Sequence, residues 1–518
     1  MDFLKEIEPR EYQKEILKTC IEKNCLVVLP TGLGKTLIAL MSTIERMKTF
    51  PGEKVLFLAP TRPLAEQHLG YFKKNLPELF GEMQLFTGSV DADNRKKIWQ
   101  TADIIFSTPQ CIANDIRKKM YNLKDVCLLI EDEAHRCIKN YDYKYIAQEY
   151  LTQALHPRII GLTASPGSEK SKIKDICKNL SIEEVELRGR DSSDVKKYLQ
   201  ELEFEKIMLD LPPEFQEMRQ VLLKLFEEYV TELRTRKVLF GPASKTDLIN
   251  LQKKISALIM RNSRNFNYLQ GASACAQAIK IQHALELLET QTLQGFHKYL
   301  KGLYEQASKK QSRGVVRLVS KPEFNFVFSQ SNELLFKKRE HPKIQELINL
   351  IINEKEKNKN MKMIIFTQFR ETASNISKRI NEIEGIKSKV FIGQAKKEGE
   401  GLNQKQQKKI IEEFSEGKID ILCATCIAEE GLDIPEVNVV VFYEPIPSAI
   451  RTIQRAGRTA RLMKGKLIML ITKKTRDEAF FYVSKSREKK MKAAIESIKD
   501  DLNSENNGFK IDIQKKLE

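Results

Sequence analysis

Short, wholly apolar runs alternate along this chain with longer stretches of amphipathic spacing. Over the first two hundred residues the runs are 25–29 (CLVVL), 54–59 (KVLFLA), 102–106 (ADIIF), 126–130 (VCLLI) and 158–162 (RIIGL). From about residue 336 to 483 the scheme repeats at 361–366, 388–392, 419–423, 437–442 and 466–471. Apolar runs of this length predict strands buried on both faces, and their alternation with helical segments predicts parallel sheets wrapped by helices. Between the two regions the period changes. Phe215, Met218, Val221, Leu222, Leu225, Phe226, Val230 and Leu233 recur at three- and four-residue spacing, as do Leu248, Leu251, Ile255, Leu258 and Ile259. That is helical spacing. The predicted architecture is α/β: two tandem parallel-sheet domains with an α-helical domain inserted between them. The expected divisions are 1–200, 201–335, 336–485 and a C-terminal tail at 486–518.

Composition narrows this reading. With 518 residues, 41% of them hydrophobic, each unit is long enough to bury a core. No apolar run approaches the roughly 18 residues of a membrane span, and the first residues lack the apolar segment of a secretory signal. The nine cysteines are scattered, most within apolar runs, and read as reduced core thiols. Cys423 and Cys426 form a CxxC with no second pair at zinc spacing. The formal net charge of +17 favours a polyanionic partner without saying which.

Two segments carry chemistry. The first predicted strand runs into Pro30-Thr31-Gly32-Leu33-Gly34-Lys35-Thr36 and then into a helical run. Glycines there let backbone N–H groups turn toward a triphosphate, Lys35 can reach the β- and γ-phosphates, and the Thr36 hydroxyl can ligate Mg²⁺. Leu29 stands where the general phosphate-loop pattern has glycine. The strand at 126–131 leads into Asp132-Glu133-Ala134-His135. Asp132 can hold Mg²⁺ through water, Glu133 can act as general base on the attacking water, and His135 can sense the γ-phosphate. Together they predict nucleotide triphosphate hydrolysis, with Lys35, Asp132 and Glu133 catalytic.

With these residues in order, the chain resembles superfamily 2 helicases of the DExD/H type, whose phosphate loop lacks the first glycine in the same way. The resemblance implies RecA-like folds for both parallel-sheet domains. Arg10-x-Tyr12-Gln13 resembles the adenine-reading Q motif, making Arg10, Gln13, Thr31, Gly32, Gly34, Lys35, Thr36 and His135 implied ATP contacts. Pro60-Thr61-Arg62-Pro63-Leu64, Thr87-Gly88, Ser107-Thr108-Pro109-Gln110 and Thr163-Ala164-Ser165 resemble motifs Ia, Ib and III. Residues 365–369 (IFTQF), 424–425 with 430–435 (AT and EGLDIP) and 454–461 (QRAGRTAR) resemble motifs IV, V and VI. Arg458 and Arg461, one helical face apart, are implied arginine fingers from the second lobe, and Asp433 and Gln454 complete the cleft. Ala456 and Ala460 replace the Arg and Gly of many relatives, but both implied fingers remain. Short hydroxyls and amides past strand ends can hold backbone phosphates without reading bases, which nominates Thr61, Arg62, Gly88, Thr108 and Thr425.

The more specific resemblance is to the helicase part of archaeal Hef and its relative FANCM. It is carried by residues 429–437 (EEGLDIPEV), 442–451 (FYEPIPSAIR) and 391–395 (FIGQA), and by the helical insertion. It implies 3′–5′ action on forked or branched DNA in replication-fork repair, with ATP and Mg²⁺ as cofactors. A prokaryotic, nucleoid-associated cytoplasmic setting, possible repair-protein partners and no membrane follow from the same resemblance. Hef often carries a nuclease beyond the helicase; the chain stops at Glu518, so no cleavage is expected. From Arg236 to Leu335 there are 15 basic and 6 acidic residues, a net +9 in a fifth of the chain. Lys253, Lys254, Arg261, Arg264, Lys309, Lys310 and Arg313 are the candidate phosphate contacts. Two alternatives stay open: an ATPase and translocase stimulated by duplex RNA, and an ATP-switched scaffold on branched DNA.

Overall fold

The computed structural model describes residues 3–4, 7–88, 90–139, 141–261, 265–393, 401–425, 434–448, 455, 459 and 464–515; the side chain of Arg261 and those past Leu502 are not among what it describes. The first lobe is built on seven parallel strands: β1 (Cys25–Val28), β2 (Lys54–Leu58), β3 (Met83–Phe86), β4 (Ile104–Ser107), β5 (Val126–Asp132), β6 (Ile159–Thr163) and β7 (Glu184–Leu187). Their spatial order is β3-β4-β2-β5-β6-β1-β7. β1, β4, β5 and β6 are buried at every position, which is why their sequence is mostly apolar with no alternation of polar residues. One face buries Val27, Phe57, Phe106 and Ile130 with the helix Lys35–Thr49; the other buries Leu26, Leu56, Leu129 and Tyr150.

The second lobe carries β8 (Leu202–Leu209), β9 (Met363–Phe366), β10 (Ser388–Phe391), β11 (Ile421–Ala424), β12 (Val439–Phe442) and β13 (Gly465–Thr472), ordered β10-β11-β9-β12-β13-β8, again all parallel. Between β8 and β9, the helices Pro213–Thr235, Lys245–Arg261, Phe266–Thr290, Leu293–Ser308, Arg313–Val319 and Pro322–Phe336 close around a core of their own, including Met218, Leu222, Ile281, Leu285, Phe296 and Phe324.

Two expected divisions move. The insertion expected from residue 201 starts only after β8, because residues 202–209 pair along their full length with β13. β8 is an edge strand with Glu203 and Lys206 exposed and Glu205 half-buried, so its sequence lacks the apolar run of the central strands. The tail expected from 486 is the continuation of one helix, Arg476–Lys515. Phe481 enters the core of the second lobe, while Met491, Ala494, Ile495 and Ile498 enter that of the first. Ser165 Oγ lies 2.8 Å from Met491 Sδ, and Lys492 pairs with Asp191 at 2.6 Å. The helix thereby spans both lobes beside a cavity of about 640 Å³, bounded by Pro30, Ala164, Ile446, Met469 and Met491. The eight described cysteines are all buried and unpaired, and no described helix is long and apolar enough to cross a membrane.

Candidate functional site

The C-terminal edge of the first sheet arranges the site. In spatial order, β3, β4 and β2 lead into Gly88, Thr108 and Thr61; then β5 leads into Asp132-Glu133, β6 ends at Thr163, and β1 leads into Pro30. Parallel strands put all these turns on one edge, where α/β sheets bind ligands. The candidate nucleic-acid residues and the candidate nucleotide residues therefore occupy adjoining halves of a single edge.

In the phosphate loop, Gly32 and Gly34 adopt φ of +88° and +80°, which only glycine takes without strain. Gly34 caps the helix Lys35–Thr49, aiming its first N–H groups at the loop. Lys35 Nζ donates to Leu29 O at 2.8 Å, and the buried Thr31 Oγ1 has no hydrogen-bond partner. Free donors around a loop with its lysine folded over it suit an anion such as a triphosphate. Gln13 and Tyr12, expected at the adenine, both donate to Leu33 O, at 3.2 and 2.8 Å, while Gln13 Oε1 accepts from Arg10 N at 2.9 Å. In this state Gln13 braces the phosphate loop. Arg10 lies over the Tyr198 ring, 5.2 Å from its centroid. Gly34→Ala is expected to fail in ATP binding: the added Cβ would overlap the Gln13 amide, and the left-handed backbone adds about 1–3 kcal/mol of strain. Isothermal titration with a non-hydrolysable ATP analogue checks this.

Two adjacent carboxyl groups on β5 are shifted in opposite directions. Glu131 is fully buried with neither oxygen partnered, and burial pushes it well above the usual carboxylate range. Asp132 is also pushed up by burial, but the hydrogen bond from His68 Nε2 at 2.8 Å, the charge of His68 and the charge of Lys35 outweigh it and hold the carboxylate below its ordinary value. Asp132 therefore stays charged beside the phosphate loop. Thr36 and Asp132 are the hard oxygen donors that Mg²⁺ takes. Glu133 sits in the left-handed region at φ +51°, a strained setting for a non-glycine residue. Its Oε2 is buried without a hydrogen-bond partner, 3.2 Å from His135 Nδ1 but outside bonding geometry. His135 Nδ1 lies 3.2 Å from Thr163 Oγ1, tying the Asp132–His135 turn to the end of β6. His68 went unnoticed in the sequence because a lone histidine on an amphipathic helix carries no local signal.

The other described candidates divide among this edge, the second lobe and the insertion. Thr61 and Thr108 are N-cap residues with no side-chain capping bond, and Gly88 is exposed. Arg62 pairs with Glu66 at 2.7 Å on its own helix. Thr425 is buried at the end of β11, its N–H bonded to Phe391 O at 3.2 Å. Lys253, Lys254, Lys309, Lys310 and Arg313 are exposed on the insertion. Asp433, Gln454, Arg458, Arg461 and Arg264, and the side chain of Arg261, lie outside the described residues.

Residues 10–173 match the DEAD/DEAH box helicase family, residues 342–463 the helicase conserved C-terminal domain, and residues 214–334 the family described as "Putative ATP-dependent RNA helicase, helical bundle". A Methanocaldococcus jannaschii protein with that same ATP-dependent RNA helicase description is 37% identical over 95% of this chain and 61% of its own length. The ATP-dependent DNA helicase mph1 of Neurospora crassa is 32% identical over 91% of this chain and 41% of its own. The chain thus spans less than two thirds of either relative. The crystal structure of the Pyrococcus furiosus Hef helicase domain is 40% identical, covers 93% of this chain and all of that one, and superposes with a TM-score of 0.73. On these grounds the chain belongs to the superfamily 2 DEAD/DEAH-box helicases, in the group of Hef and the Fanconi anemia group M protein.

Proposed function

We propose that the chain is an ATP- and Mg²⁺-dependent helicase or translocase that remodels forked and branched DNA in replication-fork repair, moving 3′ to 5′. The observation that carries this reading is the single sheet edge on which Thr61, Thr108 and Gly88 adjoin the Lys35–Asp132–Glu133 cluster. Bound Mg–ATP supplies a phosphoanhydride whose γ-phosphoryl group leaves under attack by water. Lys35 and the loop amides orient the triphosphate, Thr36 and Asp132 offer the metal oxygens, and Glu133 Oε2, unbonded, is free to take the proton of water. By the family resemblance, Arg458 and Arg461, which lie outside the described residues, would add positive charge from the second lobe. Alternate closing and opening of the lobes shifts the grip of Thr61, Gly88 and Thr108 against that of Thr425 along one strand.

The insertion supplies preference for branched duplex through its basic surface. Replacing Lys309, Lys310 and Arg313 together by alanine is expected to weaken fork binding about uniformly across sequences and to reduce the slope of log Kd against log salt by about two to three, since each phosphate contact contributes nearly one. Fluorescence anisotropy on a labelled fork over a salt series measures both. A second reading, a duplex-RNA-stimulated translocase, is favoured by the printed description of the helical bundle and of the M. jannaschii relative. Strand displacement on forks, Holliday junctions and partial RNA duplexes separates the two: displacement confined to DNA branches supports the first, and ATP turnover on duplex RNA without displacement supports the second.

A further inference from the structure

The C-terminal edge of the second sheet and the seat of the insertion share a buried chain of charged groups. Glu444 lies just past β12, wholly buried. Its Oε1 accepts the N–H of Gln368 and, at 3.3 Å, the Thr367 hydroxyl, both just past β9; its Oε2 has no hydrogen-bond partner. Two buried cations bear on this carboxyl from different elements, Lys343 and Arg455, and Asp477 opposes them. Arg455 lies over the rings of Phe366 and Phe442, at 4.8 and 5.8 Å. It belongs to the 454–461 segment that also holds Arg458 and Arg461.

Lys343 turns the other way. It is fully buried, ion-paired with Asp477, and donates to Thr290 O at 3.3 Å. Thr290 is the last residue of an insertion helix, and polar bonds seat the insertion around it. Thr372 donates to Gln291 at 2.8 Å, Asn375 to Thr292 at 3.0 Å, Arg219 to Lys474 O at 3.1 Å, and Arg476 N to Glu289 at 3.3 Å. His341 Nε2 lies 3.2 Å from Glu289 O. Buried ion pairs of this kind add little stability over apolar packing. What they do fix is relative geometry.

We propose that Glu444 is a positioning residue that couples ATP turnover to nucleic-acid engagement by the insertion, acting through its bonds to Gln368 and Thr367 and through its charge on Arg455 on one side and on the Lys343–Asp477 pair on the other. The inference rests on the helicase reading above. Burial raises the carboxyl to about 7 against the pull of Lys343 and Arg455, so it gains its charge as pH passes through neutrality. The charged form balances the two cations and the protonated form does not. Coupling should therefore strengthen as pH rises through that value.

The test measures ATP turnover of the full chain and of Glu444→Gln, alone and with saturating forked DNA, at pH values on both sides of neutrality. In the variant, basal kcat and the KM for ATP are expected within about twofold of the parent, while stimulation by forked DNA falls about tenfold and loses its pH dependence. Glu444→Asp, which keeps the charge, is expected to recover part of the stimulation. The double variant Lys343→Met, Asp477→Leu removes the relay while filling its space, and is expected to lose stimulation in the same way. Parent-like stimulation in Glu444→Gln, or an equal loss of basal and stimulated turnover, overturns the proposal. If no nucleic acid stimulates the parent, the helicase reading fails and takes the proposal with it.

Discussion

Glu133→Gln is expected to bind ATP as the parent does and to hydrolyse it about 10²–10⁴-fold more slowly, the usual worth of a positioned general base. The geometry gives the reason. Glu133 is held in a strained left-handed turn with one carboxylate oxygen buried and unbonded, while its neighbour Asp132 is committed to His68. The amide of glutamine fills the same space but cannot take a proton. Lys35→Ala acts differently. Removing the loop's only cation is expected to cost affinity for ATP as well as turnover, since the lysine meets the phosphates in both ground and transition states. Single-turnover hydrolysis together with analogue binding separates the variants: binding kept and chemistry lost for Glu133→Gln, both lost for Lys35→Ala. Undiminished single-turnover hydrolysis in Glu133→Gln would remove it from the base role.

The second large effect is on stability. Lys343→Ala is expected to destabilise the second lobe by about 3–5 kcal/mol, because it leaves Asp477 buried without its counter-charge. Asp477 Oδ1 is already without a hydrogen-bond partner, and burial already raises its carboxyl above the usual range despite Lys343. Loss of the ammonium raises it further. A carboxyl raised on folding contributes stability that is fully present below its unfolded value and is lost as pH rises through the folded one. The destabilisation should therefore be larger at pH 8 than at pH 5, a comparison set by the ordinary carboxylate range of about 4. Lys343→Met with Asp477→Leu should unfold within about 1 kcal/mol of the parent, as apolar replacements of buried pairs often do. Urea unfolding followed by circular dichroism at both pH values measures all three. A Lys343→Ala midpoint equal to the parent's would mean the pair is not buried as described.

Strands with both faces covered were legible in the sequence because burial leaves no polar alternation; β1, β4, β5 and β6 are examples. The phosphate loop was legible for a related reason, since its glycines, lysine and hydroxyls follow one such strand. β8 was not, because an edge strand keeps Glu203 and Lys206 in water and reads as a linker. Met491, Ala494, Ile495 and Ile498 repeat at helical spacing, so the helix itself could be read, but nothing local names the first lobe as the surface they fill. His68, Lys343 and Glu444 illustrate a third limit. Each is an ordinary polar residue in its own segment, and only tertiary packing, over separations of 64 residues for His68–Asp132 and 76 for Glu444–Gln368, gives it its buried partner.

If branched DNA drives ATP turnover at the Lys35–Glu133 site, the steady-state ATPase rate of the protein will show it directly when forked DNA, linear duplex DNA and duplex RNA are compared in matched amounts at one salt concentration. The highest rate is expected with the fork, a lower one with linear duplex and little above basal with duplex RNA. A rate highest with duplex RNA, or one unmoved by any of the three, would contradict it.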